Sequence, residues 1–296
     1  MDSNPHPSMN TIIITGANRG IGLAAAKNLA AAGHPLILLC RDGDRGCQAL
    51  GELAPPGPPH EHRVIVADLA SFDSIRDAAS RITELDPPVA ALLNNAATLT
   101  KRLTVSREGF EMQLAVNHLG HFLLTNLLLP LLLRASRPCR VVTVSSDAHR
   151  GPPFDFADPN FEHRPYQRRH AYQQSKLANV LFTLGLARRT SGTSVEPVAL
   201  HPGVYYTGLL RDYIGGVPGT GAFGRVVGRN ASRGGPILAK LAVGHRDDDL
   251  SGAYFNKARR STPSSAARDQ DAQERLWEWS ASGVGLSEAE AQPRAR

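Results

Sequence analysis

Thr15-Gly16-Ala17-Asn18-Arg19-Gly20-Ile21-Gly22 is the stretch from which the fold is read. It follows the apolar run Ile12-Ile13-Ile14 and opens into an alanine-rich segment, Leu23 to Ala32, that stops at Gly33. That order is strand, glycine turn, helix. Glycines let the backbone come close to a ligand phosphate. The helix N-terminus then presents unpaired N–H groups and the positive end of its dipole. Taken alone, the same pattern also describes a tight strand-to-helix turn with no ligand.

Outward from this stretch, short apolar runs alternate with helical segments. Strands are read at Ile12–Thr15, Leu36–Cys40, Val64–Ala67, Ala90–Leu93, Val141–Val144 and Val198–Leu200, with a seventh at Ala253–Phe255. Helices are read at Gly22–Ala32, Gly46–Leu53, Phe72–Leu85 behind a Ser71 cap, Gly109–Leu133 (a long amphipathic one) and Arg169–Arg189. Strands that are unbroken apolar runs are buried on both faces, which means a parallel sheet. The fold class that follows is α/β: a single doubly wound Rossmann domain with a mainly parallel sheet of about seven strands and helices on both faces. Residues 1–10 read as a loose polar extension and 11–296 as the domain. Within it, 208–235 is glycine-rich with little helical periodicity and is read as a substrate lid; 265–296 forms a C-terminal tail. Trp277 and Trp279 in that tail either close the substrate pocket or dock a tail helix onto the domain.

The chain of 296 residues carries 42% hydrophobic residues, enough for a sizeable core. Its 33 basic and 27 acidic residues leave a net charge of +6, but the excess arginine is scattered and not interleaved with aromatics, so no nucleic-acid partner is expected. Cys40, Cys47 and Cys139 form neither a disulfide framework nor a zinc spacing, and no metal is expected. The N-terminus lacks an apolar signal core. The most apolar stretch, Phe122 to Leu133, is too short to span a bilayer, so the sequence reads as a cytoplasmic protein with no membrane partner.

Ligands of such a fold bind beyond the carboxyl ends of the strands. Polar or glycine residues follow every one: the glycine loop, Arg41-Asp42, Asp68, Asn94-Asn95-Ala96-Ala97, Ser145-Ser146 and His201-Pro202-Gly203. After strand five comes Tyr172-Gln173-Gln174-Ser175-Lys176. Positions four apart share a helix face, so Tyr172 and Lys176 converge. A tyrosine ordinarily titrates near about 10. An adjacent cation favours its phenolate and equips it to donate or accept a proton near neutral pH. A lone Tyr-x-x-x-Lys is otherwise a surface pair.

Thr15-Gly16-Ala17-Asn18-Arg19-Gly20-Ile21-Gly22, Asp68-Leu69, Asn94-Asn95-Ala96-Ala97, Asn117, Ser146, Tyr172-x-x-x-Lys176 and Pro202-Gly203 occur in one order over about the first 210 residues. That set resembles the short-chain dehydrogenase/reductase family of classical type. The resemblance implies hydride transfer between a nicotinamide and a carbonyl or alcohol. It makes Tyr172 the general acid, has Lys176 lower the Tyr172 pKa and bind the nicotinamide ribose, and has Ser146 hold the carbonyl oxygen. Ser145 then only supports the strand end. Asn117 is implied to position a water linking Lys176 to a proton relay. The cofactor-binding set implied is Gly16, Asn18, Arg19, Gly20, Ile21 and Gly22 at the diphosphate; Asp68 and Leu69 at the adenine; Asn95, Ala96 and Ala97 beside the ribose. Tyr172, Lys176, Pro202, Gly203, Val204 and Thr207 complete it at the nicotinamide. The family usually has glycine where Ala97 stands.

An acidic residue about 20 residues past the glycines takes the ribose 2′-hydroxyl of NAD. Here Cys40 occupies the strand end and Arg41 follows it, with Arg19 in the loop. Two guanidiniums suit a 2′-phosphate, so NADPH/NADP+ is expected over NAD; the other reading has Asp42 bind the ribose and leaves Arg41 a surface charge. Val116 to Thr125, Tyr172 to Arg189, Ala199 to Val204, Leu250 to Phe255 and Glu274 to Trp277 resemble more narrowly the retinol dehydrogenase and WW-domain oxidoreductase-like branch, although no N-terminal membrane segment is seen and 208–235 has no counterpart there. His118 and His121 beside Asn117 read as packed structural histidines or as catalytic ones. Family members often pair through long helices, so a homodimer or homotetramer is compatible with the apolar Leu127–Leu133 face, which burial within one chain equally suits. Two other readings stay open: an epimerase- or cyclase-type enzyme without net redox change, and an NADP(H)-binding regulatory protein without turnover.

Overall fold

The computed structural model describes residues 10–135, 138–203, 223–244 and 249–287. The sheet strands are β1 (Thr11–Thr15), β2 (Leu36–Cys40), β3 (Arg63–Val66), β4 (Val89–Asn94), β5 (Cys139–Val144), β6 (Val195–His201), β7 (Ala253–Asn256) and β8 (Arg259–Ser261). They lie in the order β3-β2-β1-β4-β5-β6-β7-β8 and are parallel except for the β7–β8 pair. The chain starts at the centre, winds outward through β2 and β3, then returns to β4 and winds the other way. In open sheets of this kind ligands bind at that reversal, between the carboxyl ends of β1 and β4.

Every residue of β1, β2, β4 and β5 is buried, as the unbroken apolar runs required. Alternate side chains serve opposite layers. Ile13, Ile37 and Leu92 face helices α3 (Phe72–Leu85) and α4 (Met112–Leu133). Ile12, Ile14 and Leu38 face α1 (Gly20–Ala31) and α6 (Phe223–Val243). The short α2 (Gly43–Gly51) caps the β2 side, with Asp42 accepting from Arg45 N. Ser71 caps α3 as the sequence predicts, accepting from Ser74 N. On the α4 side, α5 (Arg168–Arg189) and α8 (Gln270–Gly283) complete the layer, preceded by the one-turn α7 (Ser265–Arg268).

Four features differ from the sequence reading. The sheet has eight strands, because a three-residue strand with Arg259 and Arg260 exposed carries no apolar signal. Charge on such an edge discourages further pairing. Residues 223–235, read as part of a loop, belong to α6; residues 208–222 lie outside the described ones. The helix α4 is not amphipathic: from Gly120 to Leu133 nearly every side chain is buried, Leu128, Leu129, Leu131 and Leu132 included, so the chain itself covers much of the Leu127–Leu133 face. At 22 residues and mean hydropathy 1.4, α4 is also long and apolar enough to cross a membrane, although 78% of its apolar window is buried within the fold.

The tail helix α8 docks on the domain. Trp277 stacks on Phe182 with ring centroids 5.9 Å apart and meets Phe122 edge-on at 4.9 Å, while the Arg189 guanidinium covers its outer face at 4.0 Å. Trp279 packs edge-on against Phe110.

On the opposite layer α6 lies directly on α1. A Cβ added at Gly235 would sit 2.4 Å from Ala24 Cβ and 2.6 Å from the Ala24 carbonyl carbon. Backbone cannot yield as a side-chain tip can, so Gly235→Ala should force the helices apart. We expect a loss of about 1–3 kcal/mol. For a chain of this size that lowers the melting temperature by about 2–12 °C in a thermal scan. An unchanged melting temperature would contradict this packing.

Candidate active site

Gly16 leaves β1 at φ +65°, and its N–H reaches back to Leu39 O at 2.9 Å, which sets the end of β2 beside the glycine loop. A Cβ at Gly22 would lie 2.4 Å from Gly16 O and 2.6 Å from Asn95 Nδ2. Only glycine permits that closure. The N-terminal residue of α1 is flanked by Arg19, whose side chain does not cap it, so the first N–H groups stay open for an anion. Arg19 and Arg41 are both exposed, and neither forms an ion pair among the described residues. Asp42 is committed elsewhere: one carboxylate oxygen accepts from Arg45 N (3.1 Å) and the other pairs with Arg45 Nε (3.3 Å). That leaves Arg41 the freer group at this end of β2.

The Thr15 hydroxyl binds β1 to β4. Asn95 N and Ala96 N donate to it at 2.9 and 3.0 Å, and Asn95 Nδ2 donates to Thr15 O at 2.9 Å. The Asp68 carboxylate accepts from Ala70 N, shaping the loop after β3. Leu69 is buried, and its carbonyl rests on α4 where a Cβ at Gly120 would meet it at 2.5 Å. Ala97 is half-buried and accommodated without the family's glycine.

A π turn, Ala115–Leu119, interrupts α4 at Asn117. Such turns often mark functional positions. The Asn117 side chain is fully engaged: Oδ1 accepts from Thr98 N (2.7 Å), while Nδ2 donates to Thr98 O (3.1 Å) and Ser175 Oγ (3.0 Å). Ser175 Oγ in turn donates to Tyr172 O at 2.9 Å. Asn117 is thus held from the loop after β4 and from α5 at once. His118 turns away from this site, with Nε2 at 2.8 Å from Ser280 Oγ on α8; burial drives its pKa down to about 3.

Tyr172 and Lys176 lie one turn apart on α5, the ammonium 5.6 Å from the Tyr172 ring centre. Lys176 is 1% exposed and donates to Val144 O at 3.1 Å. Burial lowers its pKa to about 8. Ser145 Oγ donates to Lys176 O at 2.7 Å, pinning β5 to α5, a supporting part. Ser146 caps the turn Asp147–Arg150, its Oγ accepting from Ala148 N at 3.2 Å while its carbonyl takes the Nδ1 proton of His149 at 2.7 Å. The turn packs on α5: a Cβ at Gly151 would lie 2.7 Å from Gln173 Cδ. Pro202 and Gly203 (φ +114°) follow β6. Val204 and Thr207 lie outside the described residues. Thr15, Thr98, Ser175 and His121 carry the connections between these elements. Sequence reasoning did not single out the first three, and for His121 no spacing rule announces its partners.

The residues fit a dinucleotide. Open N–H groups, glycines that a Cβ would obstruct and a buried ammonium with donors to spare line one edge of the sheet. The comparisons agree. Residues 10–214 match the family model described as short chain dehydrogenase. The chain is 42% identical over 290 residues to retinol dehydrogenase 13 of Homo sapiens, covering 93% of this chain and 85% of that protein. It is 39% identical over 275 residues to retinol dehydrogenase 12 of Homo sapiens, covering 93% and 86%. A crystal structure of an uncharacterized protein from Mycobacterium paratuberculosis matches with a TM-score of 0.76 at 31% identity, covering 96% of this chain and 95% of that one. The expectation of a cytoplasmic protein does not hold. It rested on an apolar stretch too short to cross a membrane, whereas α4 is long and apolar enough, and the relatives are retinol dehydrogenases, named for a lipid-soluble alcohol.

The Lys176 shift has a sign that can be tested in the cofactor-free protein. Its folded pKa of about 8 lies below the ordinary 10.5, so between these values the unfolded chain holds the extra proton and stability rises with pH. Lys176→Met removes the effect. Urea unfolding across this window should show the wild type gaining stability relative to Lys176→Met as pH rises. A difference that does not change with pH would contradict the buried ammonium.

Proposed function

This chain belongs to the short-chain dehydrogenase family, and on that premise we propose an NADPH-dependent oxidoreductase acting on a small carbonyl or alcohol, with Tyr172 as general acid and base. The observation that carries the reading is the convergence on α5: Tyr172 half-buried and Lys176 fully buried one turn away, its ammonium 5.6 Å from the Tyr172 ring centre. When bound, the nicotinamide supplies the hydride. The chain's own groups do the rest. Tyr172 gives its phenolic proton to the substrate oxygen in reduction and takes it back in oxidation. Lys176, held against Val144 O, favours the phenolate and offers its remaining donors to a ribose. Ser146 Oγ, fixed by Ala148 N, presents its hydroxyl proton to the same substrate oxygen. Asn117 locks the π turn to Thr98 and Ser175 and so keeps Tyr172 in register with the loop after β4. At the other end, the free guanidiniums of Arg41 and Arg19 suit a 2′-phosphate better than a hydroxyl. The resemblance to retinol dehydrogenases makes retinal a natural member of any substrate panel.

Two measurements test the reading. NADPH consumption is followed with a panel of aldehydes and ketones, retinal included. Wild-type turnover should fall by about 1,000-fold or more in Tyr172→Phe while cofactor binding persists. Cofactor binding with no turnover on any carbonyl would favour a regulatory or redox-neutral protein. In the second, the ratio of kcat/KM for NADPH over NADH should fall by about 10–100-fold in Arg41→Asp. Equal efficiency with both cofactors in the wild type would overturn the assignment of Arg41.

A further inference from the structure

We propose that His121 is a positioning residue that couples the cofactor loop after β1 to the π turn at Asn117. The proposal rests on the cofactor-site reading above. His121 is 1% exposed on α4, one turn beyond Asn117. Its Nδ1 lies 3.1 Å from Asn117 O, and its Nε2 lies 2.9 Å from Thr15 Oγ1.

The proton positions follow from the chemistry of the partners. A carbonyl only accepts, so Nδ1 carries the hydrogen. Burial, helped by the Lys176 charge, lowers the ring's pKa to about 4, so at neutral pH it holds one proton and Nε2 is an acceptor. Thr15 must then donate its hydroxyl proton to Nε2, in preference to Leu93 O at 3.2 Å. That leaves the Thr15 oxygen to accept from Asn95 N and Ala96 N. The direction is set at every step: β4 amides to Thr15, Thr15 to His121, His121 to Asn117 O. Asn117 then runs on through Ser175 to the Tyr172 backbone. Hydrogen bonds in one direction in a dry interior polarise one another. Imidazole is the side chain that offers one donor and one acceptor on opposite edges of a rigid ring. An apolar residue of similar size would fill the space and sever both ends.

The consequence is specific. With His121 cut out, Thr15 is left only Leu93 O, at 3.2 Å, as proton acceptor, so the hydroxyl turns toward it and the anchor of the loop after β4 loosens. The experiment uses the full chain with His121→Phe, which keeps the ring volume, and His121→Asn, which keeps a donor near Asn117 O. Hydrogen exchange of the peptide spanning residues 93–98 is measured without cofactor. In His121→Phe, exchange at Asn95 and Ala96 should quicken by about tenfold or more, with global stability controlled by exchange in β5. NADPH affinity, read from cofactor fluorescence, should weaken by about fivefold to twentyfold, with Thr15→Val and the double variant showing non-multiplicative losses. Unchanged exchange at 93–98 overturns the proposal, as does strict multiplicativity of the two single substitutions. If His121→Phe does not fold, the same exchange test on His121→Asn decides it. A wild type that binds no nicotinamide yet shows the exchange effect in the variant would overturn the cofactor reading and uphold the His121 coupling.

Discussion

Where the β1–β4 ladder ends, at the point where the winding of the sheet reverses, a single threonine hydroxyl carries the connection onward. Thr15 ends β1, and its Oγ1 receives the first two amides beyond β4. Asn95 N also reaches Leu93 O at 3.0 Å, but Ala96 N leaves the sheet with no strand partner, and a buried N–H without a partner costs roughly 1–3 kcal/mol. The hydroxyl accepts from both. It also brings the β4 loop so close that a Cβ on Gly16 would stand 2.9 Å from Ala96 Cα. The glycines of the loop are therefore demanded by the protein's own closure as much as by a ligand. Beside this closure the N-terminus of α1 carries no side-chain cap, which suits an anion.

The side proposed to be catalytic is built from the same economy of contacts. Lys176 reaches the end of β5 through Val144 O, Ser145 ties that strand end to the Lys176 backbone, and Asn179 Nδ2 donates to the same Val144 carbonyl at 3.1 Å. α5 cannot slide along β5 without breaking all three. Tyr172, one turn up, is thereby placed relative to Ser146 by main-chain geometry. Burial costs the ammonium its hydration, which is why its pKa falls.

The parts of the fold that were legible in the sequence are those where local chemistry and burial agree. β1, β2, β4 and β5 are buried apolar runs closed by polar residues, and Ser71 before α3 is a capping residue doing what its side chain can do. The parts that were not legible depend on partners far away in sequence. α6 has a helix interrupted in composition by glycines, yet one of them, Gly235, is there because Ala24 of α1 presses against it. β8 is two arginines and a serine, recruited by β7 alone. α4 reads as amphipathic because Asn117, His118, His121 and Asn126 look like a polar face; each turns out to be buried. At the site, the motif residues carried their positions in their order, while the connections through Thr98, Ser175 and His121 exist only once three elements meet.

Transfer of a labelled hydride tests the central claim most directly. The protein is incubated with NADPH deuterated at C4 of the nicotinamide, with each C4 face labelled in turn, and with a panel of aldehydes and ketones, and the products are read by mass spectrometry. Hydride transfer of the proposed kind gives an alcohol carrying one deuterium on the former carbonyl carbon, from one face only. Unlabelled product from both labelled cofactors, or no product from any carbonyl while the cofactor is demonstrably bound, would contradict it.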